Sequence, residues 1–382
     1  MNKVYLNTVS LAKEPVINKG ASAGGSGSGV TINNQEKSLE ITENGTTEVT
    51  ADSGFTGLSK VVVNTNVASS GGGGSDMPVI GDGKTYLYIT IAAEGKMSVD
   101  LYFSQTIANG VTIDWGDGSA PQTLSGTGNR STYHKYAAIG DYVISLDPVD
   151  GCTLGLGNNN AQYCVMGSKT QAYNKPTLNM VRHIEIGRNL PTITAYAFQG
   201  LRSLASVVIS DSVTSIGNNA FGQCTALASV VIPDSVTSIG EYAFIGCSSM
   251  RSIVLPNNIK VLTRSMLQNN ESLASITLPN SATEIGSSFL YYASALASIA
   301  IPKGIKVISS DAFYYCSAIV FYDFSTHEQV PTVASSSFPS PNSFPSKFIV
   351  PDALYDTWKA ATNWSSYASY IIKKSDWDAS QS

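Results

Sequence analysis

Charged residues are scarce in this sequence of 382 residues, since Asp, Glu, Lys and Arg make up only 13% of it, against roughly 25% in soluble domains. The formal net charge is −5, and no basic cluster is longer than Lys373-Lys374. Nucleic acids and anionic membranes are bound by clustered Lys and Arg side chains. The composition therefore argues against a nucleic-acid partner and predicts a surface rich in Ser, Thr, Asn and Gly.

Long apolar runs are also missing. No run of 18 apolar residues occurs, which is about the length that a membrane-spanning helix needs. The N-terminal stretch from Met1 to Gly20 contains no continuous apolar core and no small-residue cleavage site, both of which a secretory signal requires. We therefore expect neither membrane insertion nor export through a signal peptide.

Residues that commonly carry catalysis are few. The sequence has three histidines, His134, His183 and His327, and none has a second ligand at metal-binding spacing. No pair of carboxylates stands out as a general acid and base. Asp114 and Asp117 could hold a cation through their oxygens, but we expect Asp117 to stabilise a turn. The prediction is a protein that is not an enzyme and has no cofactor and no metal site.

Glycine-serine tracts at residues 20–29 and 68–76 divide the N-terminal part of the chain. Such tracts behave as flexible linkers, because glycine has no side chain to restrict its backbone. They isolate a leading peptide, residues 1–19, and a small β connector, residues 30–67. We expect the leading peptide to dock on another protein.

The small connector contains a strong hairpin signal. Asn44-Gly45 lies between two segments of β-forming residues, and this dipeptide favours the tight turn of a hairpin. Val61-Val62-Val63 predicts a third strand. Three short strands bury little apolar surface, so the connector is expected to need a partner chain or an oligomer.

Residues 77–170 predict a β-sandwich. Apolar and polar residues alternate from Tyr86 to Ile91 and again from Val111 to Trp115, as they do in half-buried strands. The order Trp115-Gly116-Asp117-Gly118-Ser119, then His134-Lys135-Tyr136, then Gly140-Asp141-Tyr142-Val143 resembles the PKD-like immunoglobulin fold. The resemblance implies a rigid spacer or protein-contact module.

Internal repetition dominates residues 171–324. Residues 184–321 form six units of 23 residues, which we number as coils one to six. Apolar residues recur at four positions of every unit, and a unit this short cannot bury its own apolar face. The period therefore predicts a solenoid in which each coil stacks on its neighbours. One of these positions holds Phe198, Phe221, Phe244, Leu267, Leu290 and Phe313.

Three of the five cysteines belong to the same repeat. Cys224, Cys247 and Cys316 occupy one position of the unit, which holds Leu201, Asn270 and Ala293 in the other coils. We interpret this position as a slot for small or medium buried side chains rather than as a site of thiol chemistry. Cys152 and Cys164 lie outside the repeats and are left as a possible pair.

The repeated unit, for example SVVIPDSVTSIGEYAFIGCSSMR, resembles the BspA-like leucine-rich repeat of bacterial and protist surface antigens. The resemblance implies adhesion to proteins, glycans or host surfaces and implies no reaction. The fold class is therefore mainly β and modular, with an N-terminal β anchor segment, a PKD-like sandwich and a leucine-rich-repeat solenoid.

Residues 325–382 depart from the period and predict a C-terminal cap. Lys347 to Pro351 predicts one strand, and residues 352–359 predict a short helix with Asp352 as its N-cap. A solenoid needs such a cap to cover its last apolar face. We interpret Trp358 and Trp364 as the core of this cap.

One surface position changes along the solenoid. The two residues between the Phe and Cys positions are polar or small in most of coils one to four. Coils five and six carry tyrosines there: Tyr291, Tyr292, Tyr314 and Tyr315. Amphipathic aromatic rings suit contacts with proteins and sugars. The pattern predicts a ligand-contact patch, with packing against the C-terminal cap as the alternative.

Two functions follow from these resemblances. Residues 41–63 resemble a β-rich connector of phage structural proteins, which implies a bacteriophage virion protein, a capsid fibre or tail fibre, that is trimeric and contacts other virion proteins through residues 1–67. Its solenoid would then bind a host surface protein or glycan from the virion surface. The alternative is a BspA-like adhesin of the bacterial cell surface. We expect a virion protein rather than a cell-surface adhesin, because the sequence shows no export signal.

Overall fold

A computed structural model describes residues 82–92, 98–157, 163–168, 180–340 and 346–381, together with six short strands in the N-terminal part. The chain divides into two compact units, residues 1–79 and 80–382. Strands dominate both units, and the α-helices of the described residues all lie after residue 354. The predicted mainly β class with a solenoid is confirmed.

The N-terminal unit contains two sheets of three strands each. The strands are β1 (Lys3–Tyr5), β2 (Val16–Asn18), β3 (Ile32–Asn33), β4 (Ser38–Glu40), β5 (Thr46–Val49) and β6 (Val61–Asn64). Their orders are β1-β4-β3 and β2-β6-β5. The predicted third strand is present as β6, but the predicted hairpin is wrong, because β4 and β5 belong to different sheets. A turn signal is local, and such short strands are held mainly by the partners on their edges.

A β-sandwich opens the second unit. Its strands are β7 (Thr85–Ile91), β8 (Ser98–Gln105), β9 (Val111–Asp114), β10 (Gln122–Thr123), β11 (Gly128–Lys135), β12 (Gly140–Pro148) and β13 (Leu154–Leu156), followed by the short pair β14 (Tyr163–Cys164) and β15 (Gly167–Ser168). One sheet contains β10-β9-β12-β7, and the other is β11-β8-β13. Leu87, Phe103 and Ile144 are fully buried in the core of the sandwich. Cys152 is a free, buried thiol, so the possible pair with Cys164 is not formed.

The solenoid strands lie in two parallel ladders, each of which hydrogen bonding divides into shorter sheets. The first contains β16 (Val181–Ile186), β18 (Ser206–Ile209), β21 (Ser252–Val254), β23 (Ser275–Thr277), β25 (Ser298–Ala300), β27 (Phe321–Asp323), β29 (Lys347–Val350) and β30 (Ile371–Lys373). The second contains β17 (Thr192–Ile193), β19 (Ser215–Ile216), β20 (Ser238–Ile239), β22 (Val261–Leu262), β24 (Glu284–Ile285), β26 (Val307–Ile308) and β28 (Thr332–Val333). Paired residues lie one repeat period apart in coils one to six, as Ser215 with Ser238 shows.

The sandwich and the solenoid share one sheet. Strand β16 pairs antiparallel with β7 of the sandwich and parallel with β18 of the solenoid. The resulting sheet of six strands crosses the boundary that the sequence places between residues 170 and 171. The amide of Gly187 also donates to Thr85 Oγ1 at 3.0 Å. The sandwich therefore covers the strand edge at which the solenoid begins.

Stacked rings fill the solenoid interior. Phe221 lies 5.1 Å from Phe198 and 5.2 Å from Phe244, measured between ring centroids, and the last two rings are nearly parallel at 2°. A second stack, separated from the first by Leu267 and Leu290, joins Phe313 to Phe338 at 5.4 Å. These rings are all buried. Coils one to three therefore pack their rings against one another, and coil six packs its ring against the turn that follows it, while Leu267 and Leu290 fill the position in coils four and five.

The cysteine slot of the repeat is a hydrogen-bonding position. The thiols of Cys224, Cys247 and Cys316 donate to carbonyl oxygens of Phe198, Phe221 and Leu290 at 3.1–3.2 Å. Asn270 fills the same slot and donates its amide to Phe244 O at 3.1 Å. Burial raises the pKa of the Cys247 and Cys316 thiols to about 12. These thiols are therefore protonated and act as packing groups with a weak donor.

The first part of the predicted cap adds further turns to the solenoid, and the rest of the cap closes its end. Phe321 pairs with Lys347, and Phe348 pairs with Ile371. The first of these two steps along the chain is longer than the repeat period, whereas the second equals it. The solenoid therefore has about eight turns rather than six. The period is lost from the sequence because one turn is longer, while the strand positions stay apolar.

Short helices and two tryptophans close the C-terminal end. A 3₁₀ helix, Asp352–Leu354, leads into α1 (Tyr355–Ala360); a second 3₁₀ helix, Ser365–Tyr367, precedes β30, and α2 (Lys374–Gln381) ends the described chain. Trp358 and Trp364 are fully buried. Asp352 is not an N-cap: Pro351 precedes the first helical turn, and the Asp352 carboxylate instead accepts a hydrogen bond from the Ser375 amide at 3.1 Å.

Candidate functional site

A left-handed backbone position recurs in every coil. It is the second of the two residues between the Phe and Cys positions, and its φ angle lies between 59° and 77°: Gly200, Gln223, Gly246, Asn269, Tyr292 and Tyr315. Glycine and asparagine tolerate this region best, whereas bulky side chains rarely adopt it. Coils five and six thus place tyrosines where the backbone favours a smaller residue.

The four tyrosines of coils five and six form one cluster, which we call the tyrosine patch. Tyr292 stacks on Tyr315 at 4.3 Å and 12°, and Tyr291 stacks on Tyr314 at 5.8 Å and 18°. Within each coil the two rings meet edge to face, at 5.0 Å for Tyr291 with Tyr292 and 4.5 Å for Tyr314 with Tyr315. The predicted convergence of these residues therefore holds in the structure.

The tyrosine patch is exposed and its polar ends are free. Tyr292 and Tyr315 have 39% and 45% of their surface exposed. Among the residues that the structure describes, these tyrosines make ring contacts only with one another, and no hydrogen bond uses their hydroxyls. No ring contact and no side-chain hydrogen bond joins these tyrosines to the C-terminal cap among those residues.

Tyr291 of the tyrosine patch is a neutral phenol at neutral pH. Partial burial raises the pKa of Tyr291, and the neighbouring phenols of Tyr292 and Tyr315 raise it further. An ionised phenol would be repelled by a second one only a few ångströms away. The Tyr291 ring therefore presents an apolar face and a neutral hydroxyl.

A depression of about 310 Å³ adjoins the tyrosine patch on its coil-four side. Tyr292 forms one end of it, and the other lining residues are Gln223, Thr225, Gly246, Ser248, Asn269 and Glu271. One face of the Tyr292 ring is covered by Tyr315, which lies on the following coil. The other face is turned toward the preceding coils and borders the depression.

Gly246 makes room for the side chain of Gln223, which lines this depression. Its φ of 67° lies in the left-handed region, and a Cβ atom there would lie 2.3 Å from the Gln223 side-chain nitrogen. No hydrogen bond from the described residues uses the side chains of Gln223, Ser248, Asn269 or Glu271. The depression, which we call the coil-four groove, therefore combines an aromatic wall with available amide, hydroxyl and carboxylate groups.

A larger depression, of about 520 Å³, lies on another side of coils three and four. Its lining is Thr237, Ser238, Ile239, Asn258, Lys260, Val261 and Thr263. It has no aromatic wall, and Thr237 Oγ1 already donates to Thr214 O. Size alone therefore does not make it the better candidate.

The Trp115-Gly116-Asp117-Gly118-Ser119 turn is a self-contained structural unit. Trp115 stacks on His134 at 4.9 Å, and the Tyr136 hydroxyl donates to the Trp115 carbonyl at 2.9 Å. Asp117 accepts a hydrogen bond from the Ser119 amide at 3.0 Å and lies 2.7 Å from His134 Nε2. Burial alone would raise the pKa of Asp117, but the hydrogen bonds from Ser119 and His134 outweigh it and lower the pKa to about 2. Both carboxylate oxygens of Asp117 thus stabilise the turn.

Sequence reasoning missed a polar cluster where the sandwich meets the solenoid. His183 Nδ1 lies 2.6 Å from Ser206 Oγ, and the Tyr88 hydroxyl donates to Glu185 Oε1 at 2.9 Å. His183 Nε2 lies 3.4 Å from the same carboxylate oxygen. These residues come together because β7 pairs with β16 and β16 pairs with β18. The pairing of β7 with β16 is not visible in the sequence, so no sequence signal could have found the cluster.

Within the described residues, no three His, Cys, Asp or Glu side chains converge in a way that could hold a metal ion. The helices of that part of the chain are all too short or too polar to cross a membrane.

Comparison with known families identifies the solenoid. Residues 182–339 match the BspA type leucine rich repeat region in six copies. The match leaves the sandwich and the N-terminal unit outside it. Among curated proteins, none has a significantly similar sequence.

Several solved structures of bacterial leucine-rich-repeat proteins are similar to part of the chain. A protein of T. pallidum (TpLRR) is 27% identical over 46% of this chain and 81% of its own, with a TM-score of 0.36. One from Bacteroides ovatus is 24% identical over 44% of this chain and 55% of its own, with a TM-score of 0.36. A leucine rich cell surface protein from Faecalibacterium prausnitzii is 21% identical over 51% and 65%, with a TM-score of 0.29. By the family match, residues 182–339 of the present chain are a BspA-type leucine-rich-repeat region.

Proposed function

We propose that the protein is a non-enzymatic adhesin of the bacterial surface whose solenoid binds a macromolecule through the tyrosine patch. The observation that carries this proposal is an exposed aromatic cluster whose four hydroxyls have no partner among the described residues. Buried-interface cores are enriched in tyrosine, because its ring supplies contact area and its hydroxyl a hydrogen bond. The resemblance of the repeats to those of surface antigens favours a role in adhesion.

The left-handed backbone of Tyr292 and Tyr315 supports the view that tyrosine is present at these positions for binding rather than for stability. Both residues have φ near 60°, at a position where coil four has Asn269 and coil three has Gly246. Residues held in disfavoured backbone regions commonly lie at functional sites, where the surrounding structure compensates for the strain. Packing does not require the tyrosines, because the first four coils fold without aromatic residues at this second position.

The test compares adhesion of beads coated with the full chain and with Tyr292→Asn plus Tyr315→Asn. Asparagine suits the left-handed backbone, so the variant keeps the coil and loses the rings. We expect attachment to bacterial or host cells to fall at least tenfold. Tyr133→Asn is the matched control, since Tyr133 is 72% exposed on the sandwich. Unchanged attachment of the double variant would remove the proposal.

A second candidate is a bacteriophage virion protein, a capsid fibre or tail fibre displayed on the virion surface. The resemblance of residues 41–63 to a phage connector favours it. In that case residues 1–67 contact other virion proteins, and the protein is a homotrimer whose solenoids bind host protein or glycan. Mass spectrometry of purified particles and of intact cells separates the two candidates. Presence in particles and absence from cells would favour the virion protein.

A further inference from the structure

We propose that the coil-four groove, with the open face of Tyr292 as its end wall, is a binding site for an uncharged oligosaccharide. This inference rests on the proposed adhesive function and names its ligand class. A neutral sugar ring has an apolar face of C–H groups and an edge of hydroxyls. The groove offers one surface for each.

The aromatic wall matches the apolar face of a sugar. Tyr315 covers one face of the Tyr292 ring at 4.3 Å and 12°. Stacking therefore fixes the plane of Tyr292 and leaves its other face open to the groove. A rigid aromatic face contributes contact area at low cost in side-chain entropy.

The polar lining matches the hydroxyl edge. Gln223 and Asn269 each present an amide, which can donate and accept, while Ser248 adds a hydroxyl and Glu271 an acceptor. These groups have no hydrogen-bond partner among the described residues. They come from coils two, three and four, so they form a row along the solenoid axis, as an extended chain of sugar units requires.

The charge of the groove selects against acidic ligands. Glu271 is the only charged residue among those that line it. A glycan rich in sulfate or carboxylate groups would place like charges next to this carboxylate without a basic partner. An uncharged glycan meets no such repulsion.

The lining also disfavours a protein segment as the occupant. The cores of protein interfaces are apolar and aromatic, whereas every lining residue except Tyr292 is polar or glycine. The volume of about 310 Å³ lies at the lower end of the range of roughly 300–1,000 Å³ for small-ligand sites. A depression of this volume is large enough for a short stretch of sugar chain.

The test measures calorimetric binding of the full chain to maltohexaose, cellohexaose and mannohexaose, with heparin and polygalacturonate as acidic probes and gelatin as a protein probe. We expect at least one neutral hexasaccharide to bind and the acidic probes to bind at least tenfold more weakly. Binding of only the acidic probes or only gelatin would overturn the inference.

Two reciprocal variants locate the site. Tyr292→Asn removes the aromatic wall, and Asn269→Tyr fills the groove with a third stacked ring. Each should weaken hexasaccharide binding at least tenfold, and Gln223→Ala should weaken it less. Tyr133→Asn should leave it unchanged, and circular dichroism verifies that each variant is folded. Unchanged affinity in both reciprocal variants would overturn the inference.

The outcomes separate this inference from the proposed function. Cell attachment that depends on Tyr292 and Tyr315, without binding of any neutral hexasaccharide, would leave the adhesive function standing and overturn the glycan site. Hexasaccharide binding that depends on the groove, with attachment independent of the tyrosines, would support the site and remove the proposed function.

Discussion

The solenoid and the sandwich are both β structures, but they are stabilised by different means. Within residues 190–320, which the structure describes throughout, no Asp, Glu, Lys or Arg side chain is buried. The sandwich instead fixes a turn through Asp117 and His134, which lie 2.7 Å apart. The solenoid therefore depends on repeated apolar contacts, whereas the sandwich also depends on ionisable groups. Each region should respond to a different perturbation.

The largest change in the free energy of unfolding is expected when one stacked ring is removed from the solenoid. Phe244 is fully buried and lies 5.2 Å from Phe221. Phe244→Ala should lower the free energy of unfolding by about 3–5 kcal/mol, since the cavity lies between rigid neighbours. Urea denaturation followed by circular dichroism measures it. A loss below about 1 kcal/mol would contradict the stacked-coil interior.

Acid should act on the sandwich rather than on the solenoid interior. The pKa of Asp117 is lowered from 3.8 to about 2, so its contribution is complete above about pH 4 and is lost as the pH falls to about 2. Asp117→Asn should therefore lower stability at pH 7 by about 1–2 kcal/mol, because solvent screens part of the interaction. The difference from the unchanged protein should vanish near pH 2.

Thermal unfolding across this pH range measures the effect of Asp117→Asn. Asp211→Asn on the solenoid is the control, because Asp211 is exposed. A difference that persists unchanged down to pH 2 would show that the carboxylate does not stabilise the turn through its charge.

A substitution in the cysteine slot is expected to raise the free energy of unfolding, by less than the previous two substitutions lower it. Asn270 donates to Phe244 O, but its Oδ1 is buried without a hydrogen-bond partner. Asn270→Cys restores the thiol donor of the neighbouring coils and removes the unsatisfied oxygen, so stability should rise by about 1 kcal/mol. Equilibrium denaturation checks it. A destabilised variant would show that the asparagine has a polar partner in solution.

The smallest change in stability is expected at the surface position. Asn269→Tyr places a third ring at a left-handed residue with φ of 60°, and the strain is partly offset by stacking on Tyr292. The free energy of unfolding should fall by less than about 1 kcal/mol, as urea denaturation can measure. A loss comparable to that of Phe244→Ala would show that coils four and five differ in backbone as well as in surface.

Much of the solenoid could be predicted from the sequence, because one strict period constrains every coil alike. The buried registers of Phe221 and Phe313 follow from that period alone. The role of the cysteine slot did not follow, since Leu201 and Asn270 suggest only a size limit. The shared donor function appears once the carbonyl oxygens of the preceding coil are in place.

The tyrosine patch was predictable as a cluster, but the coil-four groove was not. The pairs of tyrosines lie one period apart, so stacking of coils brings them together. The groove depends on the open face of Tyr292 and on the missing side chain of Gly246, and both are features of three coils at once. The hydrogen bond that the Asp352 carboxylate accepts likewise could not be predicted, because its donor is the amide of Ser375, which is remote in the sequence.

The sequence by itself determined the mainly β class, the repeat and the positions that face the interior, because periodic apolar residues have one way to be buried together. Tertiary structure alone decided that β7 and β16 join the sandwich to the solenoid, that β4 and β5 lie in different sheets, and that β29 and β30 prolong the ladder. Strand pairing between distant segments is set by which edges remain open after the cores have packed, and no local pattern encodes it.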